Sequence, residues 1–333
     1  MNYRSTIILY HKTTIDGLQK RARIVRRSAT GTANQGSGGN MGTETRKEWQ
    51  RRIMRAMRFM EARLDEELSL DDIAREAHFS PYHFHRIFTG MTGESVRAYL
   101  RRLRLARATH RLSYGKCSVT EVALRAGFEA PEAFTRAFRA AYGMPPSAWR
   151  KAFRGRSRPR ELSELLPPII MKERCMELEV TIKRLPPLRV ACVRHVGPYD
   201  QCEAAWVKLC AEAGKRGLFG PDTKFLGVGH DDPQITPPEK IRYDACLTVP
   251  EGFAGTPELP VAVVGDGDYA TAVIKGPYTL LAGAYAWLCG VWGPDSGREF
   301  AGAPSLEFYL NDPKTTPPEE WLTEICVPLE AAR

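Results

Sequence analysis

Phe79-Ser-Pro-Tyr-His-Phe-His-Arg-Ile-Phe88 is the stretch on which the reading of the fold turns. Ser80 can cap a helix, and Pro81 suits its first position. Phe84, Ile87 and Phe88 then fall on one helical face, while Tyr82, His85 and Arg86 fall on the other. The pattern recurs fifty residues later in Phe134-Thr-Arg-Ala-Phe138, and Gly93 matches Gly143 at the same offset. Upstream, Phe79 pairs with Phe128 and Ser69 with Ser118, both at 49.

Each copy has the grammar of two short helices. Ser69-Leu-Asp-Asp72 and Ser118-Val-Thr-Glu121 both have capping-box spacing, although Asp72 has the shorter reach. Ile73, Ala74 and Ala77, or Val122, Ala123 and Ala126, supply an apolar stripe. A tight turn follows, served in the second copy by Gly127; Pro131 then takes the first helical position there, behind the poor cap Ala130. Phe84, Phe88, Phe134, Phe138 and Trp149 are expected in the core.

A buried stripe opposite long polar residues is what a reader of the DNA major groove needs. Arg can bind guanine bidentately, and Glu can accept from cytosine. Residues 95–111 supply a connecting helix with six Arg between 97 and 111, of which Arg101, Arg102, Arg104 and Arg107 suggest a solvated or phosphate-facing stripe. This segment resembles the DNA-binding domain of the AraC/XylS family. The resemblance is carried by Leu70-Asp-Asp-Ile-Ala74, the quoted stretch, Gly127-Phe128, Phe134–Phe138 and Tyr142-Gly-Met-Pro-Pro-Ser147. It implies base contacts from Tyr82, His85, Arg86, Glu132, Thr135 and Arg136. Pro131 stands where the family often has a polar residue, which implies fewer contacts from the second unit.

Charge divides the chain in the same way. Residues 46–160 hold 25 Lys and Arg against 12 Asp and Glu, a net of +13, whereas 175–333 hold 14 against 22, a net of −8. A basic segment suits a polyanion, because binding releases the counterions of nucleic acid. No window approaches the roughly 18 apolar residues of a membrane span, and no secretory signal is evident. The eight cysteines form no C-x-x-C pair and no zinc-finger spacing; they read as buried thiols of a reducing cytosol, with a redox or metal switch as the alternative. Residues 1–45 read as a disordered tail or a misassigned start, with Met41 near the true one. The Arg- and Pro-rich stretch 154–175 reads as a linker.

After 176 the pattern turns to β-branched runs, and a second repeat appears at an offset of about 80. Gly197-Pro-Tyr199 matches Gly276-Pro-Tyr278, and Pro237-Pro-Glu239 matches Pro317-Pro-Glu319. Each copy reads as a strand (189–196; 268–275), a turn, a helix (near 199–216; 278–292), a strand (225–229; 305–310), a Pro-rich loop and a strand (241–249; 321–329). The two copies should share one sheet, with a ligand groove between the lobes. Glu307 lies in an apolar strand, where a carboxylate is costly unless paired. Its counterpart is Gly227, whose missing side chain leaves room for a ligand. Trp206 corresponds to Tyr285, and aromatic faces near a carboxylate suit a lipophilic cation. Glu307 exposed at a strand edge, and Tyr199 and Tyr278 as turn-packing residues, remain open alternatives.

These features resemble the GyrI-like effector-binding domain over about 176–330, on the paired Gly-Pro-Tyr turns and Glu307-Phe-Tyr-Leu-Asn-Asp-Pro-Lys-Thr-Thr-Pro-Pro-Glu319. The resemblance implies a central acidic ligand-facing residue, Glu307, with aromatic walls, and drug-like or amphipathic ligands; Trp206, Tyr285 and Tyr309 are the candidate ligand-binding residues beside it. Some relatives are similar in fold but hydrolyse strained electrophiles. Hydrolysis and a protein-interaction role are therefore the alternatives, though no metal set, phosphate loop or nucleophile elbow is present. The expected architecture is an all-α double helix-turn-helix domain (46–153) followed by an α+β domain (176–330) of two pseudo-symmetric strand-helix-strand-strand lobes. The expected function is a cytoplasmic, non-enzymatic, sequence-specific regulator without a cofactor. Its expected partners are double-stranded promoter DNA and a small, lipophilic or cationic effector, with RNA polymerase a further candidate and no membrane.

Overall fold

A computed structural model describes residues 39–154, 177–231 and 236–331. The expected tail up to 38, the linker over 155–176 and the tip of one Pro-rich loop lie outside these residues. The described chain separates into two compact units: one holds residues 50–78 and 91–154, and the other holds 39–49, 79–90 and the C-terminal part.

Among the described residues the N-terminal part holds seven helices: α1 (Gly39–Ala62), α2 (Leu70–Glu76), α3 (Pro81–Thr92), α4 (Val96–Tyr114), α5 (Val119–Arg125), α6 (Pro131–Tyr142) and α7 (Pro146–Phe153). Helix α1 is described from Gly39 rather than from near 46, so residues 39–45 are helical where a tail was expected. The reason is tertiary: Arg46 pairs with Asp295, and Trp49 is fully buried against Phe79 and Phe300. Glycine and serine composition showed none of those partners.

The Ser69 and Ser118 caps follow the sequence, whereas the expected cap at Ser80 is not made: its hydroxyl is buried without a hydrogen-bond partner among the described residues. Ser69 accepts from the Asp72 amide at 3.1 Å. Ser118 does the same for Glu121, and the Glu121 carboxylate accepts from the Ser118 amide at 2.6 Å, so the reciprocal box closes in the second copy. Gly127 takes φ +75° in the turn after α5, and its counterpart in the first copy is His78, at φ 53°. A non-glycine residue there carries a small backbone cost. Leu105, Ala108 and Leu112 of α4 pack with Val122 and Ala123 of α5, Phe134 and Phe138 of α6 and Trp149 of α7.

Four of the six arginines of α4 make structural contacts, while Arg97 and Arg101 are exposed. Arg102 is 7% exposed and pairs with Glu94. Arg104 donates to the carbonyls of Leu64 and Glu66 at 3.1 and 3.2 Å. Arg107 and Arg111 bind Asp65, whose carboxyl they hold below its ordinary range against the opposing effect of burial. The expected phosphate-facing stripe is thus spent largely on tying the end of α1 to α4.

The C-terminal part is an antiparallel sheet of six strands closed into a barrel. The strands are β1 (Thr181–Val196), β2 (Phe225–Gly229), β3 (Arg242–Thr248), β4 (Val261–Lys275), β5 (Ser305–Tyr309) and β6 (Leu322–Leu329), in spatial order β1-β3-β2-β5-β6-β4. The two sequence repeats are the halves β1–β3 and β4–β6. They meet along two seams, β1 with β4 and β2 with β5, and Gly227 lies opposite Glu307 in the second. Side chains alternate in direction along each strand. Val190, Leu226, Val228, Cys246, Leu306, Phe308 and Cys326 fill one side. The other side of the first half packs on helix α8 (Glu203–Lys215) through Ala205, Leu209 and Ala213. Its counterpart α9 (Leu281–Trp287) continues through a π turn, Leu288–Trp292, into α10 (Gly293–Ser296). Among the described residues no helix is long and apolar enough to cross a membrane.

Candidate effector site and nucleic-acid interface

Strand β5 presents Ser305, Glu307 and Tyr309 on one face, by the two-residue period of a strand. Helix α9 brings Tyr285 to that face, and α8 brings Trp206. Tyr285 Oη donates to Glu307 Oε1 and Tyr309 Oη to Glu307 Oε2, each at 3.1 Å. Trp206 stands edge-on to Tyr309, with ring centroids 5.5 Å apart. The four residues singled out in the sequence therefore converge on one cluster.

Glu307 does not stand at an exposed strand edge, since β5 is paired on both sides and the side chain is half-buried. Loss of hydration raises its pKa, and the Tyr285 hydroxyl, the Arg86 guanidinium and the Tyr309 hydroxyl pull it back. Tyr285 and Tyr309 are held well above the ordinary phenol range, chiefly by burial, so both remain neutral donors.

Gly227 does not leave an empty space. A Cβ there would lie 2.7 Å from a ring carbon of Tyr243, so the room opposite Glu307 is filled by that phenol. The Tyr243 and Tyr309 hydroxyls are 2.8 Å apart, which extends the network to Glu307–Tyr309–Tyr243. Sequence reading missed Tyr243, although the same quasi-symmetry held the signal: its counterpart at the offset of 80 is Thr323, as Gly227 is the counterpart of Glu307. Tyr278 stacks on Trp321 at 4.5 Å and meets Tyr309 edge-on at 5.6 Å. Tyr199 donates to the Asp231 carbonyl and so anchors a loop.

The residues expected to face DNA divide. On α6, Glu132 and Arg136 are exposed, while the Thr135 hydroxyl donates back to the Pro131 carbonyl at 2.9 Å. On α3, Tyr82 is 39% exposed, but His85 is only 2% exposed, with Nε2 3.3 Å from Thr89 Oγ1. Arg86 turns toward the barrel: Nη1 donates to Ser305 Oγ at 2.7 Å, and the guanidinium lies 3.7 Å from the Tyr285 ring centroid. The expectation of a common outward face thus departs from the structure at His85 and Arg86. The reason is that α3 shares its compact unit with the barrel, whose polar and aromatic groups capture the guanidinium.

Residues 73–152 match the model of a helix-turn-helix domain, and residues 178–330 match that of a GyrI-like small molecule binding domain. The chain is similar to the HTH-type transcriptional regulator YbfP of Bacillus subtilis, at 40% identity over 102 residues, covering 31% of this chain and 35% of that protein. It is 33% identical over 94 residues to the transcriptional regulator Rob of Salmonella typhimurium, covering 28% of this chain and 32% of Rob. It is 34% identical over 93 residues to the transposon Tn10 TetD protein of Escherichia coli, covering 28% of this chain and 67% of that protein. The matches thus span about a third of the length of YbfP and Rob, and most of TetD. With its tandem helical units and its barrel both accounted for, the chain belongs to the AraC-type helix-turn-helix family and carries a GyrI-like domain.

Proposed function

We propose that the chain is a cytoplasmic, ligand-responsive transcription regulator that binds promoter DNA through its helical units and a lipophilic cation through the barrel. The observation that carries this reading is the Glu307 carboxylate, held by two neutral phenols and walled by Trp206 and Tyr285. A cation over aromatic faces and beside a carboxylate gains from both. Both carboxylate oxygens already accept from phenols, which makes Glu307 a poor base for activating water and favours binding over turnover. On the DNA side, the exposed pair Glu132 and Arg136 on α6 supports base contact, and Tyr82 on α3 is exposed as well. RNA polymerase is the candidate protein partner of the acidic half.

The ligand half is tested by thermal unfolding of the full chain with cationic, neutral and anionic amphipaths. At 100 times its dissociation constant a ligand adds about 2.7 kcal/mol of stability. Glu307→Gln should weaken cations by about 2 kcal/mol or more and leave neutral compounds alone. Cation affinity should rise with pH through the raised pKa of Glu307 and level off above it, because only the ionised carboxyl attracts the ligand. Equal shifts for parent and variant, or a flat pH profile, would sink the role of Glu307.

The DNA half is tested by selecting a duplex from a random pool and titrating it at fixed salt. Arg136→Ala should cost about 1–3 kcal/mol on that duplex and relax preference at one base position. Unchanged affinity and preference would remove Arg136 from the interface.

A further inference from the structure

Arg86 has two claims on its single guanidinium. Its place on α3, equivalent to Arg136 on α6, suits a base contact. In the structure it is instead bound as a ligand would be. Its plane lies over the Tyr285 ring at 3.7 Å, Nη1 donates to the buried Ser305 hydroxyl at 2.7 Å, and Tyr285 in turn donates to Glu307. Arg is suited to such a seat because its flat, weakly hydrated cation stacks on aromatic rings.

The seat is built and not incidental. Gly90, at the far end of the same segment, lies so close to Gly290 that a Cβ there would come within 2.6 Å of the Gly290 Cα. His83, fully buried, has Nε2 3.0 Å from the Ala301 carbonyl. These contacts fix the helix so that Arg86, between them, reaches Ser305 and Tyr285.

We infer that Arg86 is an internal occupant of the effector site, and that a planar amidinium or guanidinium effector competes with it for Tyr285 and Glu307 and so frees it for DNA. This rests on the effector-site reading above and adds to it the class of ligand and the direction of control. A slot filled nine-tenths of the time by Arg86 weakens a competitor about tenfold. Because coupling is reciprocal, a cation that releases Arg86 tightens DNA, and DNA that engages Arg86 tightens the cation by the same factor.

Benzamidine is the probe, with benzamide as its neutral isostere, titrated calorimetrically into the full chain. Arg86→Ala should bind benzamidine roughly tenfold more tightly than the parent and gain nothing for benzamide. Arg86→Met, which keeps the aliphatic stem, should do the same if the alanine variant folds poorly. On the parent protein alone, benzamidine should tighten the selected duplex severalfold, and the duplex should tighten benzamidine equally. Equal or weaker benzamidine binding by the folded variants overturns the inference, as does the absence of coupling in the parent. If benzamidine fails while another amphipath stabilises the parent through Glu307, the inference falls and the effector site stands. If no compound binds and Glu307→Gln changes nothing, both fall.

Discussion

Replacing Glu94 with alanine should destabilise the protein by about 3–5 kcal/mol, because it removes the carboxylate that binds a buried cation through two nitrogens. Arg102 is 7% exposed, and its Nε donates to Glu94 Oε2 at 3.1 Å while Nη2 takes the other oxygen. The pair joins the residue just before Ser95, which caps α4, to the second turn of that helix, so it also fixes how the chain enters α4. A double change, Glu94→Gln with Arg102→Met, should recover much of the loss, since an apolar substitute carries no uncompensated charge. Urea unfolding at neutral pH checks both. A loss below about 1 kcal/mol for Glu94→Ala would mean that the pair behaves like an exposed one.

Mild acid should destabilise the chain through His83. Its imidazole is fully buried beside the Ala301 carbonyl, and burial, with the charge of Arg86, pushes its pKa down to about 3. In the unfolded chain a histidine titrates near 6.5. Between those values the unfolded state takes up a proton that the folded state refuses. Stability is therefore fully present above about pH 6.5 and is lost as pH falls toward 3, by up to about 1.4 kcal/mol per unit. Carboxylates held low, such as Asp244 at about 2, contribute mainly below that window's midpoint. Urea midpoints measured from pH 7.5 to 4.5 should fall steeply in the parent and more gently in His83→Gln. Parallel profiles would show that His83 is not the group responsible.

Much of this was written in local patterns. The strands of the barrel overlap the stretches where the alternation and the offset of 80 placed them, and that offset made Gly227 and Glu307 counterparts, which the register of β2 on β5 places opposite each other. The first halves of β1 and β4 were not legible as strand. They run from Thr181 and Val261 rather than from 189 and 268, and they are mostly exposed, so no apolar period marks them. Pro186 and Gly265 also sit within them, with Gly265 at φ +87°, and these residues read as turn punctuation. Within the site, Glu307, Tyr285 and Trp206 were found because two copies of one motif could be subtracted from each other, and Tyr309 because it lies two residues from Glu307 on the same strand face. The orientation of Arg86 was not, because its partners Tyr285 and Ser305 lie about 200 residues away in the chain. The arginines of α4 misled for the same reason: Asp65 and the carbonyls of Leu64 and Glu66 come from another helix end.

The circular order of the sheet has a consequence for synthesis. β1 must wait for β3 on one side and for β4 on the other, and the ring is complete only when β6, ending at Leu329, lies between β4 and β5. Pairings this distant form slowly and leave strand edges open in the meantime. The unit built on α4 to α7 relies on contacts between near neighbours and can assemble while the rest of the chain is still being translated. A stalled or slowed ribosome would thus expose an unfinished barrel behind a finished helical unit. Any dependence on chaperones should track the last 150 residues.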